Sequence, residues 1–215
     1  MARFCILAGI TILAGCDNST STEIDPLQIN GDPTPEQLVA LEAATTLRAA
    51  FATPNPDGTF SDSLTTIVKG SYRDDAGNGY AFELGRDGTA FSALVGLLPE
   101  TDLGTMPETG IATMRGEYRF IEIGKSDGDV RDFGEPVATS GRLTLRADFE
   151  FGTLQGRDGT LNIDGVFNGQ TLSGAAYVNA RAAELSGRIG GEHAVGIFSG
   201  TDDASAFVGG FLVDR

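Results

Sequence analysis

The chain has 215 residues, with 15 Lys and Arg against 30 Asp and Glu, a formal net charge of −15. That charge repels phosphate backbones and argues against nucleic acid as a partner. A hydrophobic content of 40% suffices for one substantial core or two small ones, and 30 glycines favour short strands joined by tight turns.

At the N-terminus, Arg3 precedes the run Phe4–Ala14, apolar except for Thr11, which closes on Leu13-Ala14-Gly15-Cys16. The run is shorter than the ~20 residues a membrane-spanning helix needs. It also lacks the Ala-x-Ala-like site of an ordinary secretory signal. Small residues leading directly into a cysteine predict a bacterial lipoprotein signal peptide over 1–15, with cleavage between Gly15 and Cys16. The Cys16 thiol then carries the diacylglyceryl group, and its freed amine takes a further acyl chain. Cys5 leaves with the signal, so the mature chain has no cysteine for a disulfide, a zinc cluster or a nucleophile. The expected location is the Gram-negative outer membrane, lipid-anchored and surface-exposed. Asp17 leaves inner-membrane retention open, because aspartate at that position favours it in enteric bacteria.

Residues 16–33 are mostly polar, carry Pro26 and Pro33, and show no periodicity, as in a flexible tether. A helix is expected over 34–53. Thr34 suits its N-cap, Pro35 its first position and Gln37 its third. Val39, Ala43, Leu47 and Phe51 recur at helical spacing, and the run stops before Pro54 and Pro56.

From residue 58 to 104 the pattern is that of a small β-sheet. Strands are predicted at 64–72, 79–84 and 89–97, divided by the turn sequences Asp74–Gly79 and Arg86–Thr89. A proline-bounded connection, Pro99 to Pro107, marks the boundary. Residues 105–215 then supply eight strands: 110–123, 139–149, 151–156, 160–167, 171–178, 184–190, 193–199 and 206–213. The alternation is clearest where Leu143, Leu145, Ala147, Phe149 and Phe151 share one face, and Arg142, Thr144, Arg146, Asp148 and Glu150 the other. Links this short force neighbouring strands antiparallel, and eight in sequence close most simply into an up-and-down barrel. The predicted fold is therefore all-β: an eight-stranded antiparallel barrel preceded by a small sheet and one N-terminal helix. An apolar inner face, charged outer face and absence of tryptophan oppose an outer-membrane barrel.

Three motifs in this half carry a resemblance. Met106-Pro107-Glu108-Thr109-Gly110-Ile111-Ala112-Thr113-Met114-Arg115-Gly116 resembles the "P-x-x-G-x-A-x-Y-x-G" strand that opens the barrels of transferrin-binding protein B and related surface lipoproteins. Ala147–Gly156 is similar to the "A-D-F-x-x-G-x-L-x-G" hairpin. Val195–Gly200, followed by Gly209-Gly210-Phe211, is similar to the closing "G-x-F-x-G … G-G-F". Met114 stands where that family has tyrosine, and only one lobe is present. The resemblance implies that residues 58–104 are the "handle" that precedes such a barrel. Long lysine-rich loops have no counterpart here, so transferrin itself is not implied as the ligand.

Catalytic constellations are not evident. His193 is the only histidine, no Gly-x-Ser-x-Gly turn occurs, and no Walker or Rossmann glycine loop occurs. Asp127, Asp129 and Asp132 share one loop, but their spacing departs from a calcium-binding EF-hand and the distal Glu is missing. No cofactor is expected, and no metal site is assigned. The expected function is a monomeric, non-enzymatic envelope lipoprotein that binds a solute or protein, with nutrient or iron acquisition implied by the resemblance. The alternative is a structural or assembly lipoprotein on the periplasmic side. Phe133 and Tyr80 are the aromatic candidates for an exposed binding patch.

Overall fold

A computed structural model of the full chain describes residues 28–29, 46–61, 64–87, 90–99, 102–124 and 135–215. The signal peptide, Gly15, Cys16, residues 34–45, the Asp127–Asp132 loop and Phe133 lie outside them.

Thirteen strands are described. The first five are β1 (Gln28–Ile29), β2 (Thr46–Phe51), β3 (Thr65–Arg73), β4 (Gly79–Asp87) and β5 (Ala90–Leu97). They form a sheet in the order β1-β3-β4-β5-β2. The other eight are β6 (Ile111–Gly124), β7 (Val137–Asp148), β8 (Thr153–Arg157), β9 (Leu161–Asn168), β10 (Thr171–Val178), β11 (Arg181–Ile189), β12 (His193–Thr201) and β13 (Ser205–Asp214). Each pairs antiparallel with its sequence neighbour, and β13 returns to β6, which closes the barrel. The eight-stranded up-and-down barrel and the preceding small sheet are as expected.

The handle is larger than residues 58–104, and the difference lies in its edges. Gln28 and Ile29, within the segment read as tether, pair with Lys69 and Val68. Thr46–Phe51, read as the end of a helix over 34–53, is instead a strand in parallel pairing with β5. Leu47, Ala49 and Phe51 turn toward the core while Arg48 and Ala50 stay exposed. Leu47 and Phe51 satisfy a period of four and a period of two equally well. The open edge of β5 decides between them, because a ladder of backbone hydrogen bonds is available only to the strand.

Two cores result. The first fills the barrel, with Met114, Tyr118, Leu143, Leu145, Phe198, Phe207 and Phe211 among its buried members. The second lies outside it, where the handle sheet covers one wall. Tyr80, Phe82, Leu84, Phe91 and Val95 of the handle meet Ile121, Ile123, Val195, Ile197, Val208 and Leu212, the outward residues of β6, β12 and β13. That is why β12 and β13 are buried on both faces. On β7 the alternation is clear: Arg142, Thr144 and Arg146 are exposed while Leu143 and Leu145 are not. An apolar interior is the inverse of the polar lumen of a barrel that spans lipid.

The motif glycines sit where rings need room. On β12, a Cβ at Gly196 would meet the Phe211 ring, and one at Gly200 the Phe207 ring. On the outer side a Cβ at Gly210 would meet Tyr80. Two details of the β7 pattern differ from expectation. Phe151 lies in the turn after β7, off the alternation, and is 76% exposed. Asp148, expected to face water, is covered and accepts hydrogen bonds from Arg146 Nη2 at 3.0 Å and the Phe151 N–H at 3.3 Å.

A chain beginning near Gly104 should retain β circular dichroism, since the barrel's edges satisfy each other. It should also self-associate. The six large residues of the covered wall lose roughly 1.5–3 kcal/mol of burial each, and they form one patch. A monomeric fragment that binds no hydrophobic dye would show that the handle does not seal that wall.

Candidate functional site

The barrel interior is occupied by side chains, and a polar plug closes its far end, the end away from Asp214. Arg181, on the inward face of β11, places its guanidinium over the Phe207 ring at 4.7 Å. It donates to both Glu122 carboxylate oxygens, at 2.5 and 2.7 Å, and to Ser205 Oγ at 2.6 Å. Bonding to Glu122 raises the Arg181 pKa. Burial pushes Asp202 up, but the N–H groups of Ala204 and Ser205 outweigh it and hold the carboxyl below its usual range. Arg181, Glu122, Ser205 and Asp202 thus form one hydrogen-bonded cluster across the mouth.

Beside the plug, on the outer rim, lies an open cleft of about 720 Å³. Register sets its polar row. Arg157 of β8 lies opposite Asn162 of β9, which lies opposite Tyr177 of β10. Thr160, Leu161 and Ala180 complete the lining. Asp158 accepts the N–H groups of Thr160 and Leu161, at 2.9 and 2.8 Å, which fixes the β8–β9 turn. Burial pushes the Tyr118 hydroxyl behind it up to about 12, assisted by its hydrogen bond to Asp158. The β10–β11 turn has positive φ at both Asn179 (50°) and Ala180 (67°). For alanine that conformation costs about 1–2 kcal/mol. A guanidinium, a carboxamide and a phenol in one row offer hydrogen bonds and a ring face to a polar ligand.

At the opposite end, the β3–β4 turn meets the end of β13. His193 Nδ1 lies 2.7 Å from Asp214 Oδ1 and 3.7 Å from Asp74 Oδ2. Asn78, wholly buried, bonds Asp74 twice: its N–H to Oδ1 at 2.8 Å and its Nδ2 to Oδ2 at 3.1 Å. The interdomain connection is pinned here too, since the Leu103 carbonyl accepts the N–H groups of Glu192 and His193.

Of the residues singled out in sequence, His193 is the first residue of β12, at the barrel edge. Tyr80 is not an exposed binding aromatic: it is fully buried between handle and barrel, with its hydroxyl 3.4 Å from the Arg119 carbonyl, and burial raises its pKa strongly. Sequence reasoning missed Arg157, Asn162 and Tyr177. They come from three strands, and only the register unites them.

No family model matches the chain, and no curated protein matches it. Among solved structures it is similar to a Surface Lipoprotein at 11% identity, with TM-score 0.42, over 64% of this chain and 75% of that one. It is also similar to a double mutant of Transferrin Binding Protein B from Haemophilus parasuis Hp5 at 15% identity, with TM-score 0.48, over 69% and 34%. A third is HpuA from Kingella denitrificans in complex with human haemoglobin, at 15% identity and TM-score 0.34, over 72% and 59%. The chain thus spans 34% of the length of that transferrin-binding chain. In its own motifs and strand order, the chain resembles a single handle-plus-barrel lobe of the transferrin-binding protein B-like lipoproteins.

Proposed function

We propose that the protein is a lipid-anchored, non-enzymatic lipoprotein of the Gram-negative envelope that captures a solute or protein, in nutrient or iron acquisition. The observation that carries this reading is the filled and plugged barrel. With Phe198, Phe207 and Phe211 inside and Arg181 across the far mouth, a ligand is held on the outside, where Arg157, Asn162 and Tyr177 line a cleft. Lipid attachment at Cys16 rests on the sequence motif.

Proteinase added to intact cells tests the reading. A surface binder loses its barrel under that treatment while periplasmic proteins survive. Asp17 favours a second reading, a structural or assembly lipoprotein facing the periplasm. Full protection of the chain until the outer membrane is permeabilised would replace the first reading by the second.

A further inference from the structure

We propose that Asp74, His193 and Asp214 form a divalent-metal site of zinc type that clips the handle to the barrel. Their ligand atoms, two carboxylate oxygens and one imidazole nitrogen, all lie within 4.8 Å of one another. The two contacts through Nδ1, 2.7 and 3.7 Å, bracket the edge of about 3.4 Å expected of a tetrahedron with bonds of about 2.0–2.1 Å. One nitrogen and two oxygens suit zinc, with an open position for water. The site is reachable: His193 and Asp214 are partly exposed, and Asp74 less so.

Electrostatics favour a cation. His193 Nδ1 is within hydrogen-bond distance of one carboxylate only, Asp214, and lies 3.7 Å from Asp74. The neighbouring Arg73 is committed elsewhere, donating to the carbonyls of Gly77 and Pro56. Among the described residues, no lysine or arginine pairs with Asp74 or Asp214. Asp74 is also held in place as a metal ligand usually is, by the two hydrogen bonds from buried Asn78. Oδ1 of that same Asn78 is buried and has no hydrogen-bond partner among the described residues. Two carboxylates around a single imidazole leave the cluster one positive charge short. The ligands come from the handle turn, the first residue of β12 and the end of β13, so a bound ion would join the two sheets at one point.

The test is calorimetric titration of zinc chloride into the purified, chelator-treated full chain, followed by thermal melts with and without the metal. One equivalent should bind saturably and raise the melting temperature. His193→Ala and Asp214→Asn should each weaken binding by more than about tenfold, and Asn78→Ala by about 10–100-fold through loss of Asp74 orientation. Arg157→Ala, at the other end of the barrel, should leave it unchanged. Cobalt in place of zinc should give visible absorption bands that vanish in the His193 variant. If the folded chain takes up no metal saturably, or if His193→Ala binds as tightly as the parent, the group is an ordinary ion pair and the proposal fails.

Discussion

Cys16→Ser is expected to move the whole protein from the membrane fraction to the soluble fraction. The magnitude follows from the anchor. Each buried CH₂ contributes ~0.8 kcal/mol, so two or three acyl chains hold a protein stably where a single chain holds it marginally. A chain of net charge −15 is repelled by anionic lipid. β7 presents Arg142, Thr144 and Arg146 to water, and no helix among the described residues is long and apolar enough to cross a membrane. Fractionation of cells expressing the variant, with acylation followed by labelled palmitate, checks the result. A variant that still sediments with membranes, unlabelled, would sink the lipoprotein reading.

How much of this molecule was legible in the sequence depends on the range of the interaction. Hairpins are local. Alternation within β7 and turns such as Asp158-Gly159 specify neighbouring strands directly, so strand order and closure followed from the sequence alone. The covered wall was not local. Val195, Ile197, Val208 and Leu212 are apolar on the outward face because a sheet from residues 46–97 lies on them. In sequence that appears only as a loss of alternation in β12 and β13. Tyr80 was misread for the same reason, since an aromatic on a handle strand is equally compatible with a binding surface and with an interface. The continuous apolar run on β12 and β13 was the one signal that could have separated these.

The two sites were illegible for a stronger reason. Arg157, Asn162 and Tyr177 become neighbours only through the β8–β9 and β9–β10 registers. Asp74, His193 and Asp214 meet only because the handle docks where it does. Neither set has a spacing that resembles a motif. The motif glycines are the contrasting case. Gly196 and Gly200 were readable as family marks, yet their cause, the Phe211 and Phe207 rings opposite them, appears only in three dimensions.

Leu145→Asp should abolish folding, while Thr144→Asp, one residue before it, should change stability by no more than about 0.5 kcal/mol. Both substitutions add one carboxylate to the same strand. Leu145 is fully buried, between Met114 of β6 and Gly156 of β8 in the register, and the interior around it offers no cation. An unpaired charge there costs several kcal/mol at least, against a total stability of about 5–15 kcal/mol. Thr144 faces water, so its replacement keeps hydration. Phe149→Asp should fall between them. Phe149 packs edge-on against Phe167, with ring centroids 5.7 Å apart, but it sits at the rim and is 8% exposed, where a carboxylate gains water by a small shift. Chemical denaturation followed by circular dichroism ranks the three. If Thr144→Asp proved as damaging as Leu145→Asp, or more so, β7 would be paired one residue out of register. A slip of one exchanges the two faces of a strand, and the interior drawn through Leu143, Leu145 and Ala147 would then face solvent.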